Sequence, residues 1–135
     1  MKILIINGPN LNLLGTRESE IYGSVSMENY LTELKNEFAS YEILYYQSNI
    51  EGELINRLQM IDFDVIIINP AAFSHYSYAI SDCLKNIKKP KIEVHISNIY
   101  KREDFRKKSV TAENCDAVIS GFGMKGYKLA IQSIK

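Results

Sequence analysis

Short runs of consecutive apolar residues alternate along the chain with segments whose apolar residues recur at helical spacing. An uninterrupted apolar run is typical of a parallel strand that is covered on both faces. A spacing of three and four residues is typical of an amphipathic helix that packs on such a sheet. The runs predict five strands, at residues 3–6, 43–46, 65–68, 92–96 and 117–119.

Helical spacing predicts four helices after these strands. Ser26 is a favourable N-cap for the first helix, and Ser48 with Glu51 predicts a capping box for the second. Ser74 is the expected cap of the third helix, and the closing helix is expected over 127–134. The predicted apolar stripes are positions 27, 30, 31, 34 and 38 in the first helix and 76, 80, 83, 84 and 87 in the third.

Strands alternating with helices predict an α/β fold, a parallel sheet with helices on both faces. Five strands in 135 residues fit one flavodoxin-like domain over 1–135, with strand order 2-1-3-4-5. Ligands of such sheets bind beyond the carboxyl ends of the strands, here between the first and third strands. The irregular segment 7–25 is long for a loop in a compact domain, and such loops are usually functional or disordered.

Composition narrows the classes of function. The 16 Lys and Arg balance the 16 Asp and Glu, and this neutrality disfavours nucleic acid or an anionic membrane as partner. Cys83 and Cys115 are isolated, no histidine has metal-ligand spacing, and residues 1–6 are too short for a signal or membrane segment. We therefore expect a cytoplasmic protein with reduced thiols and no bound metal.

Side chains suited to acid–base chemistry collect where the predicted strands end. Both histidines fall there, His75 after the third strand and His95 on the fourth. Polar residues collect in loops of any protein, so position alone is weak evidence for a site. The other polar residues at this rim are Asn10, Arg17, Tyr22, Asn69, Glu93, Ser97, Asn98 and Arg106.

Glu93 and His95 are two residues apart on the fourth strand and therefore share one face of it. A buried carboxylate must be paired, and beside His95 it would favour the imidazolium and orient the ring, as a general acid requires. The alternative is an edge strand with a solvated face. The otherwise apolar run, with Lys91 at its solvent end, favours the buried site.

Arg17 and Tyr22 lie in a segment flanked by Gly15 and Gly23. Glycine-flanked loops can close as lids, and an arginine beside a phenol lowers its pKa, so that the tyrosine can act as a base. The same spacing fits a surface loop with incidental residues.

His75 and Asp82, seven residues apart, are expected on one face of the third helix. His75 would be placed to donate to a hydroxyl, and Asp82 to lie at a surface or an interface. The GxGxxG pattern at 121–126 lacks the following strand and acidic residue of a dinucleotide site, so it predicts a tight turn and no nucleotide cofactor.

Three longer motifs, taken together, resemble those of the type II 3-dehydroquinate dehydratases. They are residues 5–17 followed by 21–23, residues 69–75, and residues 93–99 followed by Arg102-Glu103 and Phe105-Arg106. The later 121–123 and 126–127 also fit, so that the resemblance covers nearly the whole chain. The departures are Ala71 where Gly is more usual, Phe73 for Tyr or Leu, and Ser81 for Arg.

The resemblance implies a flavodoxin-like subunit, commonly assembled as a dodecamer of four trimers. It implies anti elimination of water from 3-dehydroquinate, through an enolate, to give 3-dehydroshikimate, without metal, Schiff base or cofactor. That reaction serves the shikimate pathway to chorismate and the aromatic amino acids, or quinate catabolism.

By matching positions, the resemblance assigns proton abstraction to Tyr22, assisted by Arg17. Protonation of the departing hydroxyl falls to His95, oriented by Glu93. The resemblance gives Asn10 and Asn69 the task of positioning groups that stabilise the enolate oxygen through a water. Binding of the substrate falls to the backbone of Ile96 and Ser97 for the carboxylate and to His75 and Arg106 for the ring hydroxyls, and Asp82 is expected to act across a subunit contact.

Two other functions remain open on the residue patterns alone. One is a non-catalytic phosphate- or nucleotide-binding module, with Gly8 and the helix N-termini as the anion site. The other is a hydrolase with a serine or cysteine nucleophile.

Overall fold

The structure is a computed structural model that describes residues 1–15 and 26–134. Its centre is a parallel sheet of the five predicted strands, whose ends differ from the predicted ends by at most one residue. Their bounds are β1 Lys2–Asn7, β2 Glu42–Gln47, β3 Val65–Asn69, β4 Lys91–His95 and β5 Ala117–Ser120. The strands lie in the order β2-β1-β3-β4-β5, which confirms the predicted α/β class and strand order.

Helices cover both faces of the sheet, and the alternation along each strand divides the core in two. Ile3 and Ile5 of β1 belong to one apolar cluster, and Leu4 and Ile6 belong to the other. The helices are α1 Met27–Glu37, α2 Glu51–Leu58, α3 Tyr78–Lys85 and α4 Lys125–Gln132. The first cluster includes residues of α1 and α4, and the second includes residues of α2 and α3. None of the helices within the described ranges is long and apolar enough to cross a membrane.

The predicted cap of α1 is confirmed, but the predicted capping box of α2 is wrong. The hydroxyl of Ser26 accepts a hydrogen bond from the Asn29 amide at 3.2 Å. In α2 the N-cap is Ile50, whose side chain makes no capping bond. Ser48 stands two residues earlier, so its hydroxyl accepts from the Ile50 amide at 2.9 Å and donates to Glu53 instead.

The third helix begins later than predicted. Its cap is Ser77, which accepts from the Ile80 amide at 3.0 Å, whereas Ser74 is buried in a 3₁₀ turn over Ala71–His75. Tyr76, predicted in the apolar stripe, is 58% exposed because it precedes the helix. His75 therefore lies in a separate turn from Asp82, and their predicted place on one helical face is wrong.

The glycine-rich segment after β5 forms the tight turn that its spacing predicts. Gly121 and Gly123 adopt φ values of 95° and 62°, in the left-handed region that favours glycine. The closing helix begins at Lys125, two residues earlier than predicted.

The loops that follow β1 and β3 meet at the point where strand order reverses. The Gly8 amide donates to the Asn69 carbonyl at 2.8 Å. A Cβ at Gly8 would lie 2.4 Å from the Pro70 carbonyl oxygen, so this approach requires glycine. The loop after β1 is thereby held against the end of β3, where the predicted site residues collect.

Candidate active site

A cavity of about 230 Å³ lies at the carboxyl ends of the strands, between the loops that follow β1, β3 and β4. It brings together most of the residues predicted for the site from separate parts of the chain. The predicted residues that line it are Asn10, Asn69, His75, His95, Ile96, Ser97 and Arg106.

A buried polar pair is formed by Glu93 and His95, of which His95 lines the cavity. Glu93 is completely buried and His95 is 5% exposed, and Nε2 of His95 donates to Oε2 of Glu93 at 2.7 Å. Their predicted sharing of one face is confirmed, since Ile92 and Val94 pack in the core cluster on the opposite face. The ring is therefore held by a carboxylate on one nitrogen, which leaves Nδ1 for proton transfer.

Lys91, expected to mark the solvent end of β4, is buried instead with 9% exposure. Its ammonium group donates to the carbonyl oxygens of Ile87, at 2.6 Å, and Lys89, at 3.1 Å. The prediction failed because a long lysine side chain can fold back and satisfy its charge on backbone carbonyls.

Glu93 has two further partners that the sequence did not indicate. Ser109 Oγ donates to Oε2 of Glu93 at 2.6 Å, and the Thr111 hydroxyl donates to Oε1. Both hydroxyls come from the segment between the 3₁₀ turn Asp104–Arg106 and β5. Three donors therefore converge on one buried carboxylate, which stabilises its ionised form.

His75 presents an acceptor to the cavity. Its Nδ1 donates to the Lys108 carbonyl at 2.8 Å. Burial, above all, lowers the pKa of His75, and the positive charges of Arg106 and Arg102 lower it further. The neutral ring with its proton on Nδ1 carries a lone pair on Nε2, which suits an acceptor toward the cavity, whereas the sequence led us to expect a donor.

A buried network fixes the amide of Asn69. Its Nδ2 donates to the Tyr127 hydroxyl at 3.1 Å, and its Oδ1 accepts from the Ala71 amide at 3.1 Å. The Tyr127 hydroxyl donates in turn to Asn7 Oδ1 at 2.7 Å. Burial raises the pKa of Tyr127, which keeps it a phenol that can donate.

The cavity rim is cationic. Arg106 donates through Nε to Glu103 Oε2 at 2.6 Å, and its guanidinium lies 4.7 Å from the centre of the Phe105 ring. Arg102 also lines the cavity, although the sequence reasoning did not select it. No Asp or Glu is among the described residues that line the cavity, so its charge suits an anionic ligand.

Of the site residues predicted within 1–15 and 26–134, Glu93 and Asp82 do not line the cavity, and Glu93 is linked to it through its hydrogen bond to His95. Asp82 is exposed on α3. Arg17 and Tyr22 lie outside the described residues.

Comparison with known proteins places the chain in a family. The sequence model of the family described as dehydroquinase class II matches residues 1–135. The chain belongs to the class II dehydroquinase family. It is 54% identical over 140 residues to the 3-dehydroquinate dehydratase of Thermotoga petrophila, an alignment that covers all of this chain and 95% of the relative. It is 53% identical over 136 residues to that of Clostridium botulinum (strain Loch Maree), which covers 98% and 92%.

Solved structures of class II enzymes have the same architecture. The chain superposes on type II dehydroquinase from Butyrivibrio crossotus with a TM-score of 0.91 and 50% identity, covering 98% of this chain and 95% of that one. The type II dehydroquinase of Propionibacterium acnes gives a TM-score of 0.91 and 39% identity, covering 97% and 93%.

Four residues in or around this site were not predicted as site residues from the sequence, namely Arg102, Ser109, Thr111 and Tyr127. For Arg102 the signal was available, since it stands within the third motif beside Arg106. The other three act on Glu93 or Asn69 from 16 to 58 residues away along the chain, and no local pattern indicates such contacts.

Proposed function

We propose that this chain is a class II 3-dehydroquinate dehydratase, which removes water from 3-dehydroquinate and gives 3-dehydroshikimate. Its membership of the dehydroquinase family supports this reaction. The observation that carries the chemistry is the buried Glu93–His95 pair, whose histidine lines a cationic cavity. A general acid and a carboxylate-binding rim are what the elimination of a β-hydroxyl from an anionic ketone requires.

The first step is proton abstraction next to the ketone, for which we assign Tyr22 as base. The assignment rests on the matched motif, in which Arg17 stands five residues before Tyr22. A guanidinium beside a phenol favours the phenolate and therefore the removal of the proton. The enolate that forms would be stabilised through groups positioned by Asn10 and Asn69, the latter fixed by Tyr127.

In the second step the enolate re-forms the ketone, and its C=C electron pair becomes the new ring double bond. The C–O bond to the departing hydroxyl breaks, and that oxygen takes a proton from His95 and leaves as water. Glu93 keeps the ring oriented through Nε2, so the proton is delivered from Nδ1. A base and an acid from separate segments of the chain suit an anti elimination, because they can approach opposite faces of the substrate ring.

The remaining cavity residues would bind the substrate. Arg106 and the neutral His75 would hold ring hydroxyls, His75 as acceptor. The backbone amides of Ile96 and Ser97, at the carboxyl end of β4, would hold the carboxylate. The reaction would serve the shikimate pathway or quinate catabolism.

We also propose a cytoplasmic homo-oligomer, a dodecamer of four trimers, as the working form. Asp82 is exposed on α3, close in sequence to the exposed aromatic residues Tyr76 and Tyr78. Large exposed aromatic side chains are typical of surfaces that bind a partner. Asp82 would then reach the active site of a neighbouring subunit.

Two rival functions lose support from the geometry. The Gly8 amide donates its hydrogen bond to the Asn69 carbonyl, so it is not free to bind the anion of a phosphate-binding module. For a thiol hydrolase, burial, followed by the charge of Glu93, raises the pKa of Cys115 to about 12, and burial raises that of Cys83. Such thiols are poor nucleophiles, and neither lines the cavity.

The test is the ultraviolet absorbance of the conjugated enone formed from 3-dehydroquinate by the purified protein. Turnover should survive a chelator, and it should survive borohydride added with substrate, because the proposed steps need neither a metal nor an imine. Absence of enone formation would refute the function. Loss of activity with borohydride, traced to a modified lysine, would refute the enolate route.

Tyr22→Phe serves as the matched variant in this assay, because it keeps the ring and removes only the base. We expect kcat to fall about 10²–10⁴-fold, as is typical for loss of a general base. Substrate affinity should persist, and circular dichroism checks folding. A variant that keeps more than about a tenth of the wild-type kcat would show that Tyr22 is not the base.

A further inference from the structure

The carboxylate of Glu93 is held by two hydroxyl groups that come from outside the cavity. Oε2 accepts from His95 Nε2 and from Ser109 Oγ, and Oε1 accepts from the hydroxyl of Thr111. Ser109 and Thr111 are also within 3.1 Å of each other through their hydroxyl oxygens. Neither residue lines the cavity, and Thr111 is completely buried. Their contact with the chemistry is therefore through Glu93 alone.

Among the described residues, His95 is the only side chain that forms an ion pair with Glu93. Lys91 lies on the same face of β4, but its ammonium binds the carbonyl oxygens of Ile87 and Lys89. Cys115 also lies near Glu93, and burial, followed by the charge of Glu93, raises the pKa of its thiol, which therefore stays neutral. The negative charge is thus balanced by His95 and by the two hydroxyl donors.

This balance changes when His95 acts as the acid. The imidazolium gives its Nδ1 proton to the departing hydroxyl and becomes neutral, while its Nε2–H stays on Glu93. Glu93 then keeps its charge in a fully buried position without a cation beside it. Hydroxyl donors stabilise a buried carboxylate, and they lower the free energy of the state that follows proton transfer more than that of the ion pair.

We propose that Ser109 and Thr111 are positioning residues of the elimination step, which sustain the charge of Glu93 while His95 loses its proton. The proposal rests on the proposed function. It predicts an effect on turnover and little effect on substrate binding, since neither side chain reaches the cavity.

A purely structural role for the two hydroxyls predicts a different pattern. Ser81 provides the matched control, because its buried hydroxyl donates to the Val110 carbonyl at 2.8 Å and anchors the same segment without contacting Glu93. If anchoring of the segment were what matters, Ser81→Ala and Thr111→Val would have similar effects.

The experiment compares kcat and KM for Thr111→Val, Thr111→Ser and Ser81→Ala in the full-length protein. Thr111→Val keeps the shape and removes the donor to a charged acceptor, so kcat should fall about 10- to 100-fold. KM should change by less than about twofold, since binding keeps its contacts. Thr111→Ser should restore most of the turnover, and Ser81→Ala should leave kcat close to wild type.

Exchange of the substrate proton in deuterated water gives a second readout. When elimination is slowed but proton abstraction is not, the enolate returns to substrate more often. Recovered 3-dehydroquinate from Thr111→Val should therefore contain more deuterium per turnover than that from wild type. Ser109→Ala, at a half-buried position, tests the same point if Thr111→Val fails to fold.

Wild-type kcat in a folded Thr111→Val or Ser109→Ala protein would overturn the proposal, and so would an equal loss in Ser81→Ala. A loss that appears only in KM would also overturn it. Failure of the proposed function is distinguishable, because wild-type protein would then form no enone at all.

Discussion

Burial, above all, lowers the pKa of the His75 ring, and the nearby positive charges lower it further. The Lys108 carbonyl, which accepts the Nδ1 proton at 2.8 Å, opposes this shift but does not reverse it. Between this lowered value and the ordinary value of 6.5, the unfolded chain binds a proton that the folded chain does not. The stability that His75 contributes is therefore complete above about pH 6.5 and is lost as the pH falls below it.

We predict that His75→Asn weakens this pH dependence. The asparagine amide can replace the Nδ1 donor to Lys108 but does not titrate. Denaturant unfolding of both proteins at about pH 7.5 and about pH 5.5 measures the free energy of unfolding, and wild type should lose more on acidification. The hydrogen bond from Arg57 lowers the pKa of Asp62, and a backbone hydrogen bond followed by one from Arg106 lowers the pKa of Glu103, so both titrate below this window. An identical loss in both proteins would contradict the account of His75.

The residues of the site differ in how far the sequence could indicate them. Glu93 and His95 could be paired from the two-residue period of a strand. Ser109 and Thr111 could not, because their approach to Glu93 depends on where the segment after the third motif folds. The tautomer of His75 depends on a carbonyl 33 residues away, which no pattern indicates.

At the scale of elements, two glycines stand at the same position in their helices but have different surroundings. Gly52 is the second residue of α2, and Gly126 is the second residue of α4. A Cβ at Gly52 would meet nothing within 4 Å, whereas one at Gly126 would lie 3.0 Å from Cγ1 of Val94. Val94 is fully buried in β4, so it cannot move aside without repacking the core.

We predict opposite effects of alanine at these two positions. Gly52→Ala should stabilise the protein by roughly 0.5–1 kcal/mol, because glycine is unfavourable in a helix. Gly126→Ala should destabilise it by about 1–3 kcal/mol, since overpacking outweighs the gain in helix propensity. Denaturant midpoints of the two variants measure both effects. A stabilised Gly126→Ala protein would show that α4 packs more loosely on β4 than described.

Helix starts were predicted less well than strands, for a local reason. The serines at 74 and 77 both precede the third helix, and only the folded backbone decides which hydroxyl meets a free amide. Ser77 caps α3 because the chain first turns through the 3₁₀ segment Ala71–His75. That turn places His75 at the cavity. A helix that began at Ser74 would instead have included His75 in its first turn.

At the scale of the molecule, the strand order could be predicted because five parallel strands joined by right-handed crossovers in a chain of this length fit the flavodoxin-like order. The order puts β1 next to β3, and the three loops that follow β1, β3 and β4 then surround one cavity. The substrate could not be derived from residue patterns, since a cationic cavity with a histidine suits many anionic ligands. The family match supplies it.

The central claim is that His95, held by Glu93, protonates the departing hydroxyl. The most direct measurement is kcat for enone formation by His95→Gln, with the dissociation constant of 3-dehydroquinate measured on the same protein. We predict that kcat falls about 10²–10⁴-fold and that the dissociation constant changes little. A folded His95→Gln protein that keeps more than about a tenth of the wild-type kcat would contradict the claim.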